Sequence, residues 1–282
     1  MGLENITESD MMRRPKPIRS GRLTLFMERV PRFSQSLEAC VAHRPAYPES
    51  LYELIWRELP PDRRRLAVDL GAGTGISTLP LCGKFEKVIA VEPDEKMAAV
   101  IRERPEKIDV RAVGAEDFEQ EPGSVDLVTC GTSFHWMDGQ RVLANVSRWL
   151  RAGGIFALYF YWFPRPRGPA REIIKREINT TWEPFRHPRL KDYEYSRRMF
   201  DACRSLEPIS KHLIPNKVNA TVEWLLGFMY STSYVSGYIR SLENPDEYLR
   251  NFEAEVRRAA PDGRLEVELK LELFLARQIR AT

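Results

Sequence analysis

The feature that most limits what this chain can become is a glycine cluster at the end of a short apolar run. Arg65 to Leu70 leads into Val68-Asp69-Leu70-Gly71-Ala72-Gly73-Thr74-Gly75. Glycines placed behind a first strand let the backbone turn sharply and let a ligand approach the main chain. A helix starting after them would present unpaired N–H groups. The spacing excludes two common phosphate loops. A dinucleotide GxGxxG pattern would need glycine at 76, where Ile76 stands, and no GxxxxGK[ST] run exists. A DxGxGxG loop opened by an acid suits a nucleoside with a charged amino-acid tail better than a pyrophosphate.

The surrounding sequence repeats the same rhythm. A helix is expected behind Pro48, with Leu51, Leu54, Ile55 and Leu59 on one face, and another helix directly after the glycine loop. Further strands are expected at Val88 to Val91, Ile108 to Val113, Val125 to Cys130 and Ile155 to Phe160. Helices are expected over Asp94 to Glu103 and Gln140 to Leu150. Strands separated by helices in this way argue for βαβ units and a parallel sheet covered on both faces. After residue 164 the pattern changes. Helical stretches are expected around Ala170 to Thr181, Lys191 to Cys203, Val222 to Ser231 and Asp246 to Ala259, with a strand region at Ile209 to Val218. Near the end, Leu265, Val267, Leu269, Leu271 and Leu273 alternate with polar residues, which predicts one half-buried strand at an antiparallel edge.

Composition narrows the function classes. Forty-three basic residues stand against 40 acidic ones, too even for a concentrated nucleic-acid surface. The longest uncharged apolar run, Ile155 to Phe163, is about half the length of a membrane span. Met1 to Ser20 carries charges where a secretory signal would be apolar. The four cysteines form no CxxC pair and the four histidines no metal-ligand spacing, so the expectation is a cytoplasmic protein with reduced thiols and no metal. Of the 43 basic residues 33 are arginine. Codon bias accounts for that, or else some of them bind a carboxylate bidentately, with Arg165, Arg167, Arg171 and Arg186 as candidates.

Two acids sharpen the ligand. Glu92 ends the second strand, 23 residues after Asp69, near the offset at which an acid meets ribose hydroxyls. Gly114-Ala115-Glu116-Asp117-Phe118 follows the third strand, where an adenine would sit in such a sheet. Each acid alone could be a solvated loop residue. Placed together at the carboxyl ends of consecutive strands, they point to a nucleoside site.

Residues 43 to 160 resemble the class I S-adenosylmethionine-dependent methyltransferases, in detail the trans-aconitate-methyltransferase-like branch that acts on small molecules. The resemblance rests on Arg44-Pro45-Ala46-Tyr47-Pro48, Asp69 to Gly75, Val91-Glu92-Pro93-Asp94, Ala115-Glu116-Asp117-Phe118 and Ser133-Phe134-His135-Trp136. It implies an α/β fold with a Rossmann-like, seven-stranded, mostly parallel sheet, an antiparallel last strand, helices on both faces and a helical cap. The domain would span 33–282 with the cap at about 164–220, behind a flexible N-terminal tail over 1–32. S-adenosyl-L-methionine would be the cofactor and S-adenosyl-L-homocysteine the product.

By the same resemblance Asp69, Gly71, Ala72 and Gly73 would hold the methionyl and ribose parts, and Glu92 with Pro93 the ribose diol. Met97, Ala115, Glu116 and Asp117 would surround adenine, and Cys130 and Gly131 would lie near the sulfonium. Arg44 and Tyr47 would close over the cofactor carboxylate. Trp136, Tyr161 and Trp162 would wall the acceptor pocket, within an aromatic set that includes Tyr159, Phe163, Trp182, Tyr193 and Tyr195. His135 is the candidate general base, or else a histidine that fixes the loop. The expected partner is a small-molecule methyl acceptor, not nucleic acid and not a membrane. Amine methylation of bases generally uses a [DNS]PP[FYW] motif where this chain has Gly131-Thr132-Ser133-Phe134. The function expected is methyl transfer to oxygen or nitrogen in specialised, natural-product metabolism. The alternatives are a carboxyl O-methyltransferase for a small organic acid and a non-catalytic nucleotide-binding module.

Overall fold

A computed structural model describes residues 37–192 and 194–279. The predicted tail over 1–32 and Tyr193 lie outside the described residues. Seven strands form the main sheet: β1 (Leu66–Leu70), β2 (Lys87–Val91), β3 (Ile108–Arg111), β4 (Val125–Gly131), β5 (Leu150–Tyr161), β7 (Glu207–Ile214) and β10 (Leu271–Arg277). Their order is β3-β2-β1-β4-β5-β10-β7. The first five pair in parallel, while β10 runs antiparallel to both β5 and β7. The strand–helix rhythm of the sequence implies the parallel part of this sheet, and the family resemblance implies its seven-stranded, Rossmann-like α/β form with an antiparallel last strand.

Both faces of the central strands are covered, which is why they read as near-continuous apolar runs. On one face α4 (Gly139–Trp149) buries Val142, Val146 and Trp149 against Val68, Leu70 and Val128. Asp138 caps α4, its carboxylate accepting from the N–H groups of Gln140 and Arg141. On the other face α2 (Glu49–Glu58) buries Leu51 and Ile55 against Ala67, Leu127 and Ala157. Each such aliphatic side chain contributes about 1.5–3 kcal/mol by leaving water. α1 (Leu37–His43) precedes α2, and α3 (Glu95–Arg102), capped by Asp94, connects β2 to β3.

A second core stands beside the sheet. It is built from α5 (Ala170–Asn179), α6 (Val222–Tyr230), α7 (Ser233–Ser241) and α8 (Pro245–Arg258). These pack with a three-stranded sheet ordered β6 (Arg165–Pro166), β9 (Arg264–Glu268), β8 (Lys217–Thr221). This core draws on residues up to Leu269, well past 220.

Two local expectations are corrected. No regular helix follows the glycine loop; residues 71–86 form tight turns with a single 3-10 turn at Leu79–Leu81. Gly75 in the left-handed region, at φ +89°, and Pro80 both interrupt helical winding there. The alternating run Leu265 to Leu273 is not one strand. It breaks at Leu269 and Lys270, where Leu269 N–H donates to Asn216 O and Trp162 N–H donates to Lys270 O. β9 then serves the small sheet and β10 the large one. The period-2 pattern persists across the break because Leu265 and Val267 face the second core, whereas Leu271 and Leu273 face the α2 side of the main sheet.

Candidate functional site

A cavity of about 780 Å³ opens beside the carboxyl ends of β1, β2 and β4. Its floor is the glycine loop. Gly71, Gly73 and Gly75 have φ of +67°, +59° and +89°. The Gly71 and Ala72 N–H groups donate to Val91 O at 2.8 and 3.1 Å, which ties the loop to β2. Gly71 is pressed against the next strand's exit: a Cβ there would lie 2.6 Å from Ser133 Cβ. Gly73 differs, since a Cβ there would meet nothing within 4 Å.

Asp69 supports the loop from below and does not line the cavity. It is fully buried. Its Oδ2 accepts from the Ser77 and Thr78 hydroxyls at 2.7 and 2.6 Å, and its Oδ1 from Thr129 Oγ1 at 2.8 Å. Burial pushes this carboxyl above the usual carboxylate range, against the opposing pull of the three hydroxyls. Asp69 thus shapes the loop from beneath through Ser77, Thr78 and Thr129.

Glu92 does line the cavity. Its Oε2 accepts from Gly73 N–H at 2.8 Å and its Oε1 from Asp94 N–H at 2.9 Å. Each carboxylate oxygen retains a lone pair for a further donor. Pro93, Met97, Ala115 and Glu116 line the same end. Glu116 Oε1 also accepts from Asp138 N–H at 2.7 Å. Asp117 is exposed, pairs with Arg141 at 3.2 Å and is not among the lining residues. Burial raises the Glu92 pKa, with Asp94 and Asp69 adding to the rise. A diol is held by the carboxylate form. Affinity for a ribose ligand should therefore weaken as pH falls, beginning above the titration range of an ordinary glutamate; calorimetry with S-adenosylhomocysteine across pH ~4–8 checks this.

The opposite end is formed by Arg44, Tyr47, Gly131, Trp136 and Tyr161, all of them lining residues. Arg44 is held by Ser231, its Nε donating to Oγ at 3.0 Å and its Nη2 to the carbonyl at 3.2 Å. The Tyr47 ring stacks on Tyr161 with centroids 4.7 Å apart and 6° between planes. Cys130 lies beneath Gly131 rather than in the wall, its Sγ 3.2 Å from Ser133 Oγ. Burial pushes its thiol up to about 12, so it stays protonated and is no nucleophile. Trp162 is likewise outside. Its indole donates to Glu272 at 2.7 Å, because adjacent strand residues point to opposite faces and Tyr161 takes the cavity side.

His135 does not line the cavity either. Phe134–Trp136 is a 3-10 turn, in which side chains three apart share a face. Ser133 and Trp136 therefore look into the cavity while Phe134 enters the core. The His135 ring stands 5.0 Å from that of Trp136. Burial first, then the charges of Arg44, Arg189 and His187, push its pKa from 6.5 down to about 4. A neutral imidazole this weakly basic accepts a hydrogen bond but is a poor proton acceptor at neutral pH. The depressed value also bears on stability. Between about pH 6.5 and 4 the unfolded chain binds the proton that the folded chain refuses, so stability is full above 6.5 and declines through that window. His135→Gln should flatten the acid limb of a melting-midpoint profile; an unchanged limb would assign acid sensitivity to other groups.

Sequence reasoning missed Thr132, Ser133 and Met137, which line the cavity beside Gly131. The i, i+3 period of the turn was the available signal. None of the four arginines considered for a carboxylate lines the cavity: Arg167 pairs with Glu266, Arg186 with Glu183, Arg165 covers the Trp162 ring, and Arg171 is exposed on α5. Trp182 belongs to the second core, and the Tyr195 hydroxyl donates to Met137 O. Among the described residues no group of three potential ligands could hold a metal ion, and no helix is long and apolar enough to cross a membrane.

Three comparisons bear on this geometry. A family profile described as "Methyltransferase domain" matches residues 68–158. A provisionally named methyltransferase of Dictyostelium discoideum is 27% identical over 205 residues, covering 70% of this chain and 75% of that protein. A Saccharomyces cerevisiae protein, named a probable S-adenosylmethionine-dependent methyltransferase, is 35% identical over 125 residues. That match covers 42% of this chain and 43% of the yeast protein, so the chain spans less than half of that relative's length. Among solved structures, a provisionally named type II methyltransferase from Anaeromyxobacter dehalogenans superposes with a TM-score of 0.68 at 24% identity. It covers 84% of this chain and 99% of its own, a likeness of fold.

Proposed function

We propose that the chain, whose residues 68–158 match a methyltransferase-domain profile, is an S-adenosylmethionine-dependent methyltransferase of class I that moves a methyl group onto an oxygen or nitrogen of a small molecule. The observation that carries the reading is one cavity with two unlike ends. Glu92, Met97, Ala115 and Glu116 make a nucleoside end, and Tyr47, Tyr161 and Trp136 an aromatic one. Its volume lies within the ~300–1,000 Å³ of small-molecule sites, room for a nucleoside ligand and a compact acceptor together.

The residues fit the cofactor. Gly73 leaves space where a side chain would intrude, and Glu92 offers acceptor positions to a diol at the end of β2. Bound there, S-adenosylmethionine supplies a methyl group already activated on a sulfonium and leaves as S-adenosylhomocysteine. The protein's own contribution is placement. Glu92 and the glycine loop hold the nucleoside end, and Arg44 and Tyr47 close the methionyl end. The aromatic wall excludes water and orients the acceptor, which is where most of the rate gain in such a displacement arises. A base is needed only if the acceptor carries a proton to lose.

A small acceptor in specialised metabolism of the cytoplasm is our reading, favoured over a nucleobase amine by Gly131-Thr132-Ser133-Phe134 at the β4 exit. For the organic-acid alternative, Arg44 is the arginine that lines the cavity among the described residues, while Arg167 and Arg186 are ion-paired elsewhere. Calorimetry with S-adenosylmethionine and S-adenosylhomocysteine tests the cofactor assignment. A screen of alcohols, amines and carboxylic acids for S-adenosylhomocysteine release tests the acceptor. Binding at micromolar ligand and release with one class is the expected outcome; no binding at millimolar ligand would leave the non-catalytic reading.

A further inference from the structure

Among the described residues Thr132 is the one non-glycine residue with positive φ, at +54°. A β-branched residue meets steric resistance there, and such strain persists only where the surroundings hold it. The surroundings here are specific. Thr132 N–H donates to Tyr159 O at 2.7 Å, Thr132 Oγ1 shares a hydrogen bond with Tyr47 OH at 2.9 Å, and Tyr161 N–H reaches the same Oγ1 at 3.4 Å. Tyr161 OH in turn donates to Ala46 O at 2.7 Å. One side chain thus joins the exit of β4, the end of β5 and the segment before α2. Glycine would relieve the backbone but could not make the side-chain bonds.

We propose that Thr132 is a positioning residue, whose strained backbone and hydroxyl hold Tyr47 and Tyr161 as a fixed aromatic wall against the S-adenosyl ligand. The proposal rests on the reading of this cavity as an S-adenosyl site.

Four proteins test it: the parent, Thr132→Ser, Thr132→Ala and Thr132→Gly. Melting midpoints are read without ligand, and affinity for S-adenosylhomocysteine by calorimetry. Alanine ordinarily stabilises relative to glycine. At a strained left-handed position the order reverses, and T132G should melt roughly 2–4 °C above T132A. T132S should bind S-adenosylhomocysteine within about 2-fold of the parent, while T132A and T132G should bind about 10-fold more weakly, the scale of a lost hydrogen-bonded contact. T132A melting at or above T132G would overturn the strain. T132A and T132G binding as tightly as T132S would overturn the positioning role. A parent that binds no S-adenosyl ligand sinks the cofactor reading instead, and leaves the midpoint comparison standing.

Discussion

Gly71→Ala is expected to cost about 2–5 kcal/mol of folding stability and to lower the melting midpoint by on the order of 10 °C. Two effects add. The residue occupies φ +67°, where an L side chain is strained by about 1–2 kcal/mol. The new Cβ would also stand 2.6 Å from Ser133 Cβ and Oγ, an overpacking that costs about 1–3 kcal/mol. Ser133 cannot retreat freely, because its hydroxyl donates to Leu70 O at 3.0 Å and touches Cys130 Sγ. Displacing it would disturb the turn that carries Trp136, so S-adenosylmethionine binding should fall below detection as well. Gly73→Ala is the control. At φ +59° it bears the backbone strain, but its Cβ enters open cavity. The midpoint should drop only a few degrees while binding is still impaired. Calorimetric melting of both variants decides the matter: equal midpoints would mean that the loop does not pack on Ser133.

Glu92→Ala is expected to weaken S-adenosylmethionine binding by about 10- to 100-fold, the loss of hydrogen bonds to a charged group at about 1.5–3 kcal/mol. The carboxylate has two tasks. It receives the Gly73 and Asp94 N–H groups, which shapes the loop, and it keeps acceptor positions turned to the cavity. Glu92→Gln separates them. The amide retains one oxygen for the backbone but turns an NH₂ toward the second donor and toward a diol, so it should bind almost as weakly as the alanine variant. Because the cavity is open, water can reach the freed N–H groups, and the folding loss should be smaller than for Gly71→Ala. Unchanged affinity in both variants would remove Glu92 from the ribose site.

How far the chain could be read depended on whether a residue's role was local. The first strands were legible because burial on both faces demands nearly continuous apolar residues, as in Leu66–Leu70 and Val125–Gly131, each interrupted by one buried aspartate. Glu92, Gly73 and Ala115 were legible because the carboxyl end of a parallel strand is where a ligand meets the sheet. Asp69 sits at such an end too, but only the fold shows that its side chain turns under the loop to Ser77, Thr78 and Thr129. Trp162 and Asp117 each lie one residue from a cavity residue and face the other way.

By itself the sequence determined the parallel order of apolar strands, the glycine loop and the acid that follows the second strand. These are settled by period and by backbone freedom within a few residues. Tertiary structure alone decided which neighbours converge. It split the alternating run at Leu269 so that two sheets share it, and it withdrew His135 and Cys130 from the wall. It also brought Tyr47, Thr132 and Tyr161, separated by up to 114 residues, into one hydrogen-bonded clasp. Periodicity assigns a side chain to one face of its own element, whereas what stands opposite that face is set by packing between elements distant in the chain.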